Sequence, residues 1–374
     1  MNSHFVKAAK LYQDGHAKEA ITELQRAINE DPSDPKQYLT LGAIFEVQGR
    51  LEEAIAVYRR VIKLDMDDVS ANLRLGAILT QQEKYEDALT PLRMAWSNDN
   101  KNAKTANALA RTLDEYGDYE TAQVMYETAI ALDPNLAEAR FNLATLRFND
   151  HKYESAIAQY VDYMVTAGEC CRAHRNIGMA LFQLGEPDSA LKSYNKALAL
   201  DRTDPTVYYN LALVHDSKGN SNLAYENFHL ALRLDPQYAE ARYALAKSLR
   251  NNGALQDSIG EFQALLKAFP NHYRAMNGLA ACYMALKEFD KSVKLLRQAL
   301  ETNATYAAGR YNLGIALRSI GHYDEAQIHF IEANRLDSSY SIGRTTIGVS
   351  SAGPTQRLRL SQRLAPSTAR VMAG

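Results

Sequence analysis

Apolar residues recur at spacings of three and four along most of the chain, as from Glu52 to Leu64 and from Ala190 to Leu200, and no segment reads as a strand. The pattern returns every 34 residues, in ten blocks from Met1 to Tyr340 without insertion or deletion. Position 20 of each block is small: Ala20, Ala54, Ala88, Ala122, Ala156, Ala190, Ala224, Ser258, Ser292 and Ala326. Position 24 is large: Leu24, Tyr58, Leu92, Tyr126, Tyr160, Tyr194, Phe228, Phe262, Leu296 and Phe330. Position 8 is Ala or Gly in all ten blocks, and position 7 is Leu or Ile in nine, from Leu41 to Leu313. Small residues at 8 and 20 let two helices approach closely, while large ones at 7 and 24 fill the space beside that contact. Seven blocks carry Gly at position 15, where a left-handed residue can end the first helix. Pro32, Pro134, Pro236 and Pro270 close their blocks, three of them preceded by Asp31, Asp133 and Asp235, and proline cannot continue a helix. The pattern predicts an all-α fold of about 20 helices, paired within each block.

Period and residue types together resemble the tetratricopeptide repeat, a family of helix-turn-helix units, over residues 1–340. The resemblance implies an α-solenoid, ten repeats forming a right-handed superhelix as one domain, with residues 341–374 as a separate tail. Departures lie at the ends and in block 5. Lys7 stands where an apolar residue is usual, as suits a terminal repeat facing water. Block 5 has Arg147 at an apolar position, Tyr163 at a small one, and Gly168-Glu169-Cys170-Cys171 in place of the Asp-Pro stop. That joint is expected to be the least regular.

A net charge of -2 offers no general attraction to nucleic acid or anionic lipid. Met1 to Lys10 includes His4, Lys7 and Lys10 and lacks the apolar run of an export signal. No stretch approaches the roughly 18 consecutive apolar residues of a membrane span. Three cysteines, Cys170, Cys171 and Cys282, are too few for a disulfide framework, which favours a reducing compartment, and a cytoplasmic location is expected. The nine histidines form no metal-ligand motif. His322 and His329 are expected to serve packing or the surface, and Cys170 and Cys171, without the two-residue spacer of redox motifs, to be loop thiols. The glycines are spaced by 34 rather than gathered in a phosphate-cradling loop. No catalytic residue, metal or cofactor is assigned, and the chain is not expected to be an enzyme.

In the tetratricopeptide fold the first helix of each pair lines a concave groove, and the resemblance implies that positions 2, 5, 6, 9, 12 and 13 face it. Asn occupies position 6 as Asn142, Asn176, Asn210 and Asn312. A carboxamide both donates and accepts, so it can pair with a peptide backbone whatever the peptide's side chains. Blocks 5 to 7 thereby make a short asparagine ladder, similar to those that hold extended peptides in O-linked N-acetylglucosamine transferases and kinesin light chains. Position 5 carries Phe141, Tyr209, Tyr243 and Tyr311, for which two roles stay open: recognition faces beside the ladder, or packing against the next block. Cations gather in later blocks at groove positions, as Arg172, Arg175, Lys247, Arg250, Arg274 and Arg318, against the acids Asp216 and Glu240. An acidic or carboxylate-bearing ligand is the expectation. The family's carboxylate clamp needs Lys and Asn in one block, Asn in the next, and Lys and Arg in the third; no consecutive trio has that set, so a chaperone-tail adaptor is not favoured.

Residues 341–374 hold Arg344, Arg357, Arg359, Arg363 and Arg370 with no Asp, Glu or Lys, a composition that predicts disorder. Without a persuasive solvating helix after block 10, the last helix is expected to expose Phe330 and to invite self-association there. Two functions fit: a protein-interaction scaffold taking a peptide or partner protein in the groove, or a targeting subunit of a larger assembly, of transferase or ciliary trafficking type, that packs edge-on. A hidden enzyme is disfavoured, because 34 tail residues cannot build a core.

Overall fold

The computed structural model describes residues 3–340; the tail 341–374, with the disorder expected of it, lies outside the described residues. Those residues form twenty α-helices and a closing 3-10 turn at Ser338–Tyr340, with no strand among them. They divide into two units between Glu169 and Cys170. The first holds five helical pairs: α1 (Ser3–Gln13) with α2 (Ala17–Glu30), α3 (Pro35–Val47) with α4 (Leu51–Leu64), α5 (Val69–Gln81) with α6 (Tyr85–Asn98), α7 (Ala103–Tyr116) with α8 (Tyr119–Leu132), and α9 (Ala137–Asn149) with α10 (Tyr153–Ala167). The second holds α11 (Cys171–Gln183) with α12 (Pro187–Leu200), α13 (Pro205–Ser217) with α14 (Ser221–Leu234), α15 (Ala239–Asn251) with α16 (Leu255–Ala268), α17 (Tyr273–Ala285) with α18 (Phe289–Thr302), and α19 (Ala307–Ser319) with α20 (Tyr323–Leu336).

The repeating positions do the packing their sizes predict. Every residue at position 20 is buried, and so is every residue at position 24. Gly42 and Gly178, at position 8, face the rings of Tyr58 and Tyr194 so closely that a β-carbon on either would stand 2.6 Å from the ring. Burying each large side chain contributes about 1.5–3 kcal/mol. In the first unit these contacts join into one core running from Ala8 to Leu146.

All ten blocks adopt the left-handed turn at position 15, with φ between 61° and 101°. Seven use glycine, and Glu83, His151 and Lys287 take the same conformation, at a cost of roughly 1 kcal/mol each. What holds the turn is the backbone bond from the amide at position 16 to the carbonyl at position 11, as in Arg50 to Phe45 (2.9 Å) and Lys84 to Leu79 (2.9 Å).

Block ends rely on an acceptor side chain at position 31. Asp31 takes the Ser33 amide at 3.1 Å, Asp133 that of Asn135 at 2.9 Å and Asp235 that of Gln237 at 2.9 Å. Blocks 5 and 8 lack the acceptor, with Ala167 and Phe269 at that position, and block 5 departs further. There α10 runs one residue beyond the other second helices and stops at Gly168, whose φ is 88°. The two units part immediately afterwards. Arg147 of block 5 pairs with Glu127 of block 4 at 2.9 Å, and Tyr163 sets its ring edge-on to Phe141 at 5.1 Å.

Two ends differ from expectation or refine it. At the start, Lys7 is exposed but tied down: it donates to Glu23 at 2.9 Å, as Arg26 does, and His4 meets the same carboxylate. These bonds, from His4 and Lys7 above all, hold the Glu23 carboxyl down to about 2. At the other end Phe330 is not exposed. It is buried at 5%, with Tyr311 at 5.5 Å, because its own pair closes over it. Position 28, apolar in the other nine blocks from Ile28 to Leu300, is Asn334 here. The exposed apolar residues of α20 are instead Tyr323, Ile328 and Ile331.

Candidate functional site

The predicted groove residues fall on the first helices of both units. Phe141 and Asn142 sit on α9 of the first unit and are buried; Phe141 packs edge-on against Tyr160 at 5.2 Å as well as Tyr163. Asn176 on α11 and Asn210 on α13 belong to the second unit and are also buried, at 2% each. Asn312 on α19 is half-buried and donates to Asn277 Oδ1 on α17 at 2.8 Å. The division at Glu169 places Asn142 in a different unit from Asn176 and Asn210.

The tyrosines pack within their own blocks rather than against the next. Tyr209 meets Phe228 (6.2 Å) and Tyr238 (5.2 Å), Tyr243 meets Phe262 (5.9 Å) and stacks on His272 (5.7 Å), and Tyr311 meets Phe330 (5.5 Å) and Tyr340 (5.1 Å). Each ring thus bridges the large residue at position 24 and the residue that closes its block. All three stay half-buried, leaving part of each ring to solvent. Burial pushes the Tyr209 phenol up to about 12 and the Tyr243 phenol upward as well.

Charge separates the cations into two kinds. Arg175 is bound to Asp204, which also caps α13 by accepting the Thr206 amide at 2.9 Å, so this arginine serves the block junction. Lys247, Arg250, Arg274 and Arg318 take part in no ion pair among the described residues. Arg318 lies over the Phe330 ring at 5.6 Å, and Arg250 reaches only Asn251, at 3.4 Å. Desolvation, and then the neighbouring Arg250, push the Lys247 ammonium below its ordinary value, with Asp216 only partly offsetting them. Asp216 is itself engaged by the Ser248 hydroxyl.

Family models described as TPR repeat match residues 47–82 and 178–219, and models described as tetratricopeptide repeat match 103–136, 125–158, 209–271, 243–307 and 307–340. The chain belongs to the tetratricopeptide-repeat family. Among solved structures it is similar to yeast Tom70, at 16% identity over 90% of this chain and 85% of that one, with a TM-score of 0.49. It is also similar to Pseudomonas aeruginosa pilF, at 22% identity over 55% of this chain and 94% of that one, TM-score 0.48. A third likeness is to MamA, at 24% identity over 46% of this chain and 94% of that one, TM-score 0.42. No curated protein matches the sequence.

Within the tetratricopeptide frame, Asn277 was missed because the asparagine series was read at position 6 alone, whereas block 9 carries its carboxamide at position 5 beside Gly278. That glycine is required locally: a β-carbon there would stand 2.3 Å from the Phe262 ring. Among the described residues no group of three or more His, Cys, Asp or Glu is placed to hold a metal ion, and no helix is long and apolar enough to cross a membrane. Burial pushes the Cys171 thiol up to about 11, so it stays protonated at neutral pH. His322 and His329 both approach Glu325, at 4.0 and 3.9 Å.

Proposed function

We propose that this tetratricopeptide-repeat chain is a non-catalytic interaction scaffold that holds an extended peptide or partner protein along the first helices of its pairs. The observation that carries the reading is the Asn277–Asn312 carboxamide pair, which lies on neighbouring first helices with donor and acceptor capacity left over for a peptide backbone. The half-buried faces of Tyr209, Tyr243 and Tyr311 border the same helices and suit a peptide's apolar side chains. The free thiols Cys170, Cys171 and Cys282 agree with a reducing, cytoplasmic setting.

An edge-on role in a larger assembly, self-association included, is favoured by one feature, the exposed Tyr323, Ile328 and Ile331 on α20. Substitution separates the two readings once a co-purifying partner is in hand. Asn277→Ala with Asn312→Ala and Tyr243→Ala should weaken a groove-held partner on the order of 10- to 100-fold, while Ile328→Ser with Ile331→Ser leaves it unchanged. The reverse result would move the partner to α20.

A further inference from the structure

The groove positions of the second unit carry more positive charge than the fold itself uses. An ion pair absorbs Arg175, through Asp204. Nothing comparable neutralises Lys247, Arg250 and Arg274 among the described residues; the first two share α15 with Tyr243, whose ring stacks at 5.7 Å on His272, the N-cap of α17 two residues before Arg274. Like charges on neighbouring turns of one helix repel. An anion placed among them removes that cost and gains charge-assisted hydrogen bonds at the same time.

The arrangement also has a direction. Lys247 and Arg250 lie one turn apart on α15, and Arg274 lies in the first turn of α17, whose N-cap His272 stacks on Tyr243 of α15. An extended chain, rising about 3.3 Å per residue with alternate side chains on one face, can place successive acids against them.

We propose, resting on the scaffold reading above, that α15 and α17 hold an extended acidic peptide segment of a partner protein. One of its carboxylates meets Lys247 and Arg250, a second carboxylate two or more residues along meets Arg274, and the backbone between them crosses Tyr243. The site differs from a clamp for one chain terminus in that it reads carboxylates in series. The basic tail of this chain, which has no Asp or Glu, is excluded as occupant by its charge.

Binding of a labelled peptide of alternating glutamate and serine to the full chain tests this, beside the same peptide with glutamine for glutamate. The glutamate peptide should bind, its affinity should fall steeply with salt, and the glutamine peptide should bind at least 10-fold more weakly. Lys247→Gln, Arg250→Gln and Arg274→Gln together should cost on the order of 10- to 100-fold, with helical content unchanged by circular dichroism. Removing as much charge from the outer helices, by Lys192→Gln, Lys196→Gln and Lys267→Gln, should cost less than about 3-fold. Equal losses from both triple variants would reduce the effect to net charge and overturn the proposal, as would equal binding of the glutamine peptide. If a partner still depends on Asn277 and Asn312 while the glutamate peptide shows no preference, the scaffold reading stands and the acidic ligand falls.

Discussion

The two units share one packing scheme and differ in where the groove cations without an ion pair among the described residues gather: Lys36 and Lys104 stand singly on α3 and α7 of the first, whereas Lys247 and Arg250 share α15 of the second with Arg274 nearby on α17. In the first, Arg74 is paired with Glu46 at 3.0 Å, a carboxylate that also accepts from the Tyr58 hydroxyl at 2.9 Å, and Arg111 lies 3.5 Å from Glu138. In the second, Lys247, Arg250, Arg274 and Arg318 find no such partner among the described residues. Positions 8, 20 and 24 are buried in both units, whereas the position-2 residues Lys36, Lys104 and Arg274 stand exposed. On the reading proposed above, the useful distinction is whether a cation is spent on the scaffold or left over.

The strongest perturbation concerns what the units have in common. Tyr126→Ala in the first and Phe228→Ala in the second each remove a fully buried ring from position 24, and each should destabilise the protein by about 3–5 kcal/mol in chemical denaturation. A markedly smaller loss in one unit would show that the shared scheme does not carry equal weight in both.

Next in size is a rewiring of the first unit. Glu46→Gln with Glu138→Gln frees Arg74 and Arg111, making its groove resemble that of the second. The double variant should gain roughly 3- to 10-fold in affinity for a glutamate-rich peptide, read by fluorescence anisotropy. No gain would mean that unpaired cations alone do not create the site.

Acid should separate the units further. Burial, helped by Lys218 beside His215 and by Arg274 beside His272, holds these imidazoles and that of His329 below the ordinary value of 6.5. The unfolded chain then takes up protons the folded one refuses, so the second unit loses stability as pH falls below 6.5. In the first unit Glu23 is held near 2, against an ordinary 4.5, so its contribution is full above pH 4.5 and is lost as pH falls from there toward 2. Hydrogen exchange of the full chain at pH 7 and pH 5.5 should show weakened protection in α13, α17 and α20 and unchanged protection in α1 and α2.

The smallest effect returns to the shared scheme. Glu83→Gly in the first unit and Lys287→Gly in the second relieve the left-handed strain at position 15, offset by glycine's greater freedom when unfolded, and each should stabilise by about 0.5 kcal/mol. Thermal melting that moves down for both would show that the side chains make compensating contacts.

Legibility in the sequence followed the range of the interactions. The helical pairs, the turn at position 15 and the buried residues at positions 20 and 24 could be read because they depend on neighbours within one block. The enclosure of Asn142, Asn176 and Asn210 could not, because a residue at position 6 is covered or bared by other elements around it. Arg175 illustrates the same limit: it reads as a groove cation until Asp204, at the far end of its block, is seen to hold it. Phe330 was expected at an open end because no further repeat follows, yet its own helical pair is sufficient to bury it. Block 5 was the exception in the other direction, since Gly168-Glu169-Cys170-Cys171, expected to be the least regular joint, contains the place where the two units divide.

Hydrogen exchange on the full chain, with and without the glutamate and serine peptide, tests the central claim most directly, because it locates the ligand without altering a residue. Slowed exchange confined to α15, α17 and the adjoining first helices of the second unit, with α3, α5 and α7 unchanged, is the predicted result. Protection concentrated in the first unit, or on α20 around Ile328 and Ile331, would contradict it.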